Sequence, residues 1–173
     1  MNVETVLRAL RLLGMVLWVG GLCFFAFVVA PVAFGSLNNT HDAGLVVGGC
    51  LRVLHWMGLV TGALFYLTTA ILWLRAPVDS RVSFALQLVL TGIMLAITCY
   101  SQFHIIPRME VDRLAAGGSI GTAAVDSPAR VDFERLHMLS ERLEGLVLLG
   151  GLGVVLLLAR ESQWTEPGKS KAL

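Results

Sequence analysis

The groups in this chain with the means to do chemistry are four histidines and a stripe of polar residues set in apolar sequence. His137, Ser140, Glu141 and Glu144 lie at i, i+3, i+4 and i+7, the spacing of one helix face. At about 100° per residue they fall within an arc of about 100°, and Phe133 and Arg130 continue the stripe. Arg52 and His55 lie at i and i+3, and Tyr100 and His104 at i and i+4. Three chemistries fit these residue types. Imidazoles with carboxylates ligate zinc, copper, nickel or non-haem iron, and two histidines on facing helices ligate haem. His55, His104, His137 and Glu144 are the residues for such a metal or haem site. A buried carboxylate beside an imidazole is also a proton relay, with Glu144 and His137 as its members. The third arrangement is an ion-paired cap, in which Arg52 meets Glu144 or Glu141 and holds helix ends together. No H-E-x-x-H spacing occurs, and no nucleophile with its base, phosphate loop or cofactor motif is present, which argues against an enzyme.

The elements that must hold these groups follow from composition. Of 173 residues, 56% are hydrophobic and 14% charged, with a mean hydropathy of +0.77, which excludes a soluble globular domain and a disordered chain. A net charge of +1 excludes a nucleic-acid binder. Three cysteines without a C-x-x-C pair make neither a disulfide framework nor a thiolate zinc site. Crossing about 30 Å of hydrocarbon at 1.5 Å per residue takes about 20 apolar residues. Runs over 12–34, 53–74 and 82–107 meet that length, and a fourth, 145–159, has only 15 residues. The expected fold is therefore an all-α integral membrane bundle of four transmembrane helices within a single domain, 1–160. Its spans cover about 10–34, 52–74, 82–106 and 137–159, with a far-side loop at 107–130 and a polar tail at 161–173. The first span is read as a retained helix rather than a signal peptide, because its apolar stretch is too long and Pro31 follows the small residue Ala30.

Four crossings place both termini on one side. Lys and Arg divide seven to six between the termini side and the far side. Eight of the twelve acidic residues lie on the far side, so the expected orientation has both termini cytoplasmic, in a bacterial inner membrane. Trp73 and Trp164 near one boundary and Trp56 near the other suit aromatic belts. With Ala159 at the inner end of the core, Glu144 falls about 8 Å inside the far boundary, Glu141 about 3 Å inside and His137 about at it. An ionisable group at that depth must be paired, protonated or facing a watery cavity, so Glu144 faces the bundle. Arg142, in line with Arg135, points elsewhere and snorkels to headgroups. Thr91, Thr98 and Ser101 are expected to bond back to their own helix, leaving Gln87 as the interhelical bond of the third span. His41, in Asn38-Asn39-Thr40-His41-Asp42, reads as a solvated turn residue. Gly58-x-x-x-Gly62 and the glycines of the fourth span mark close helix approach. A short interfacial helix is expected over 107–116.

These residues resemble the transmembrane protein 205-like family, four-helix membrane proteins of unknown function. The likeness runs from Trp18-x-Gly20-Gly21 with Phe24, through Ala30-Pro31-x-x-Phe34, Ala43-Gly44, Arg52-x-x-His55-Trp56 and Pro107-Arg108 with Arg113. It ends at Phe133-x-x-Leu136-His137-x-x-Ser140. Family members often carry Asn four residues after that Ser, where this chain has Glu144. The resemblance implies a four-helix membrane fold and carries over no catalytic residue. A looser likeness in size and helix-borne histidines, to membrane proteins of copper resistance and four-helix haem-associated proteins, rests on no motif. The functional expectation is a protein that binds or moves a metal ion, haem or a small solute at the far-side His/Glu cluster. Its partners are the lipid bilayer and other membrane subunits or itself. The alternative is a non-catalytic accessory or structural subunit of a larger membrane complex.

Overall fold

The computed structural model describes residues 2–164, apart from the side chains of Asp79 and of 162–164. Four helices dominate it: α1 Val3–Ser36, α2 Thr40–Arg75, α3 Arg81–Ala115 and α4 Pro128–Trp164. Each contains a stretch long and apolar enough to cross a membrane, and no strand occurs among the described residues. Consecutive helices pack as antiparallel neighbours, α1 on α2, α2 on α3 and α3 on α4, and contacts between α1 and α4 close the ring. Long apolar side chains such as Val16, Phe27, Val60, Leu67, Leu149 and Leu156 stand exposed around its outside. An apolar exterior over four spanning helices belongs against lipid hydrocarbon. This is a small multi-pass membrane protein.

The helices run further than their apolar runs. Asn2 caps α1 by accepting from the Thr5 amide at 2.8 Å, and Asn39 caps α2 by accepting from the His41 amide at 2.8 Å. His41 is thus a half-buried residue of the first turn of α2 and not a loop residue. Both α1 and α3 continue through a proline. Each does so by widening to a π turn immediately before it, at Phe25–Val29 ahead of Pro31 and at Ser101–Ile105 ahead of Pro107. The wider turn accommodates the ring and the missing N–H that would break a regular α-helix. The helix expected over 107–116 is consequently the outer end of α3 itself. Gly117 and Gly118, with φ of +80° and +93°, then turn the chain away, a conformation in which a side chain would be strained. At the other end α4 continues past Ala159 to Trp164. The rest of the tail, with Lys169 and Lys171, and the side chain of Trp164 lie outside the described residues.

The core is built round Trp18. Its indole lies buried between α1 and α2 against Gly58 and Gly62. A Cβ on Gly58 would stand 2.3 Å from the indole Nε1, and one on Gly62 would stand 2.2 Å from Cζ3. The paired glycines therefore form a slot for a large ring, where the spacing alone suggested contact between two backbones.

Candidate functional site

Glu144 faces the interior of the bundle, 15% exposed, and its partner is a histidine. His55 of α2, 1% exposed, places Nε2 2.6 Å from Glu144 Oε1 and Nδ1 3.1 Å from Gln102 Oε1 of α3. Three helices thus meet at one imidazole. The π turn of α3 begins at Ser101, and both Ser101 and Gln102 are buried. Its wider turn shifts the register of the inward face of α3 at the level of the imidazole, where Ser101 and Gln102 both face inward. Ser140 is buried one turn from Glu144 on the same helix.

The protonation of this triad is constrained by geometry. A Gln102 oxygen accepts, so Nδ1 carries a proton and donates it. The 2.6 Å contact between Nε2 and Oε1 then requires a second proton between them. The pair is an imidazolium with a carboxylate, or a neutral imidazole with a carboxylic acid, and its net charge is zero in both. Turning the Gln102 amide by 180° presents an N–H to Nδ1, so that Nε2–H donates to an ionised Glu144. The triad then holds one proton fewer. Glu144 Oε2 is buried and has no hydrogen-bond partner among the described residues, leaving it able to accept.

A second buried cluster sits at the opposite end of the bundle. Arg11, 1% exposed, forks its guanidinium onto Glu161, with Nη1 3.2 Å from Oε1 and Nη2 3.0 Å from Oε2. It also donates to Gln87 Oε1, and Gln87 Nε2 donates to Glu161 at 3.3 Å. The guanidinium carbon lies 5.4 Å from the Phe65 ring centre and 5.1 Å from that of Phe84, so two aromatic faces cover the charge. Arg8 reaches Glu161 at 3.3 Å from the more open side. Glu144 and Glu161 are 17 residues apart on α4, about 25 Å. They bracket the short fourth apolar run, and each is partnered from other helices. That is how 15 uncharged residues suffice where about 20 are expected.

Between the clusters the inner face of α3 carries polar residues, Gln87, Thr91, Thr98, Ser101 and Gln102, all buried and interrupted at mid-helix by the buried Met94. Thr61 and Thr68 bond back to the Met57 and Leu64 carbonyls at 2.8 and 2.7 Å. Thr69, Thr91, Thr98 and Ser101 do not, and their hydroxyls are buried without partners among the described residues. Back-bonding was the expectation for the hydroxyls of α3, and the structure leaves them unengaged. Gln87 is interhelical, as its place in an apolar run suggested.

The remaining sequence-derived site residues lie apart from His55 and Glu144. His137 and Glu141, 51% and 68% exposed at the side chain, pair with each other at 3.2 Å along the outside of α4, and His137 stacks on Phe133. His104 is exposed and stacks on Tyr100, ring centres 5.1 Å apart. Arg52 is exposed and is paired with neither Glu144 nor Glu141. Among the described residues no three His, Cys, Asp or Glu side chains converge as metal ligands. Replacing His137 and Glu141 together by alanine is expected to change stability by less than about 1 kcal/mol, since so exposed a pair is well screened. Denaturant unfolding in detergent checks this.

Arg11 and Glu161 carry no motif of their own in the sequence, Glu161 falling in the expected polar tail; Gln87, polar in an apolar run, is the signal that a polar partner lies opposite it.

The model of a protein family described as a domain of unknown function, DUF4149, matches residues 13–111, more than half of the chain. The chain belongs to this family. The DUF4149 match takes in Trp18, the Gly58 and Gly62 slot, His55 and Gln102, and ends before Glu144. Two members of the buried triad therefore lie on the DUF4149 portion, and the carboxylate comes from α4 beyond it. Comparison with curated proteins found no match, and comparison with solved structures found none.

Proposed function

We propose that this DUF4149 protein takes up and releases a proton, or a small solute coupled to one, at the His55–Glu144 pair. The observation that carries this reading is a 2.6 Å imidazole–carboxyl contact inside a membrane bundle, with the second carboxyl oxygen buried and unpartnered among the described residues. An intramembrane ionisable pair is costly to keep and marks a pathway or relay by default. The buried hydroxyls of Ser101, Thr98 and Thr91 lie on α3 between it and the Arg11–Glu161 cluster, with the buried Met94 between Thr98 and Thr91. A metal or haem site has less support. His55 and Glu144 bring one imidazole and one carboxylate together, whereas His104 and His137 stand exposed in contacts of their own. The accessory-subunit alternative has the apolar exterior in its favour, but lipid covers that surface equally well. We further place the chain beside the transmembrane protein 205-like proteins, on the strength of the Phe133 to Ser140 block of α4. We assign it to a bacterial inner membrane with both termini cytoplasmic.

Glu144→Gln tests the reading because it keeps the shape and the hydrogen bond to His55 while removing the titratable group. Its stability is expected to stay within about 1 kcal/mol of the wild type, while Glu144→Ala, which orphans the imidazole, costs about 1 to 3 kcal/mol. In reconstituted vesicles under an imposed potential, proton flux should fall about tenfold or more in Glu144→Gln, the order expected when a positioned acid–base group is lost. Equal flux in the wild type, the variant and empty vesicles would leave the triad as a helix clamp and refute the proposal.

A further inference from the structure

On the outer side of the bundle, near the far boundary, α3 and α4 part to form an open groove of about 470 Å³. Arg108 of α3 and Arg135 and Arg142 of α4 line it, with Asp132 as its one carboxylate among the described residues. None of these three arginines has a hydrogen-bond or ion-pair partner among the described residues, which is equally so of Arg75 and Arg160; what sets the three apart is that they line one groove. Leu139 and Tyr100 give the same groove an apolar wall.

Depth decides what such a groove meets. By the rise of 1.5 Å per residue from Ala159, Arg142 lies about 5 Å inside the hydrocarbon boundary and Arg135 about 6 Å outside it. The two therefore straddle the level of lipid phosphates. An unpaired guanidinium there is costly, and its planar fork matches a phosphate with two parallel hydrogen bonds. Basic pockets between transmembrane helices take anionic headgroups on these grounds. A free phosphate would use the arginines alone. A lipid uses both the arginines and the apolar wall that continues toward the membrane interior.

We propose that the α3–α4 groove binds the headgroup of an anionic phospholipid, its phosphate held by Arg135 and Arg142 and the rest of the headgroup, free of the cation that choline would bring, facing Arg108. The site stands apart from the His55–Glu144 triad and does not depend on it.

The test reconstitutes the full chain in phosphatidylcholine vesicles containing a minor fraction of phosphatidylglycerol and counts retained lipids by native mass spectrometry. The wild type should keep phosphatidylglycerol in preference to phosphatidylcholine. Arg142→Gln should weaken that retention about fivefold and Arg135→Gln with Arg142→Gln about 25-fold, at about fivefold per arginine. Arg75→Gln with Arg81→Gln, at the opposite boundary, should leave it unchanged, as should added inorganic phosphate. Equal retention of the two lipids by the wild type would overturn the proposal, and so would equal loss in the Arg75/Arg81 variant. Displacement by inorganic phosphate would overturn it in favour of a soluble anion. Should the Arg135/Arg142 variant fail to fold, Arg142→Gln alone decides, because it leaves the outer turns of α4 intact.

Discussion

Arg11→Ala is expected to lower the stability of the folded protein by about 3 kcal/mol or more, the usual cost of leaving one member of a buried ion pair alone. The magnitude follows from what remains behind. Glu161 keeps its position next to Gln87 with only Arg8 to answer its charge, and that arginine is shared with Glu4. The space between the Phe65 and Phe84 rings empties at the same time. Arg11→Lys should lose an intermediate amount, since a point charge cannot fork onto both carboxylate oxygens. The paired variant, Arg11→Met with Glu161→Gln, removes both charges and keeps much of the volume, so it should recover most of the loss. Denaturant titration in detergent, followed by far-ultraviolet circular dichroism, measures all three. An Arg11→Ala protein as stable as the wild type would mean that the cluster does not hold α4 to α1.

Trp18→Ala is expected to cost about 3 to 5 kcal/mol, the range for removing a buried aromatic side chain that its surroundings cannot fill. The reverse insult is a methyl group in the slot. Gly62→Ala places carbon 2.2 Å from the indole. Because the indole is enclosed by α1 and α2, relief requires helix displacement, costing about 1 to 3 kcal/mol or more. The two changes should be strongly non-additive, with Gly62→Ala much milder once Trp18 has been cut to alanine. Thermal or denaturant unfolding of the two single variants and the double variant reads that coupling directly. Additive losses would show that Trp18 and Gly62 act separately, against the slot.

The amino-acid sequence by itself determined that four helices cross a membrane, because spanning demands length and apolarity that local composition records directly. It also marked Glu144 as facing inward, since its depth on α4 and the 3.6-residue period are both properties of one helix. The partner of Glu144 was decided only by the tertiary structure. Arg52 and His55 lie one turn apart at the same boundary, and either fits a carboxylate by charge. Helix rotation turns His55 into the bundle and Arg52 out of it. Gln102 reaches the imidazole through a π turn, a local change of register that a regular period does not anticipate. His104 lies within a turn of Gln102 and His137 two turns outward of Glu144, and neither shares the inward face of the triad. The Arg11–Glu161 pair joins residues 150 positions apart, and the Trp18 slot joins a ring on one helix to glycines on the next. Sequence spacing reports what one helix presents along its own axis. Which faces meet is set by the packing of all four, where side-chain volume and the need to neutralise buried charge choose among rotations that the sequence leaves open.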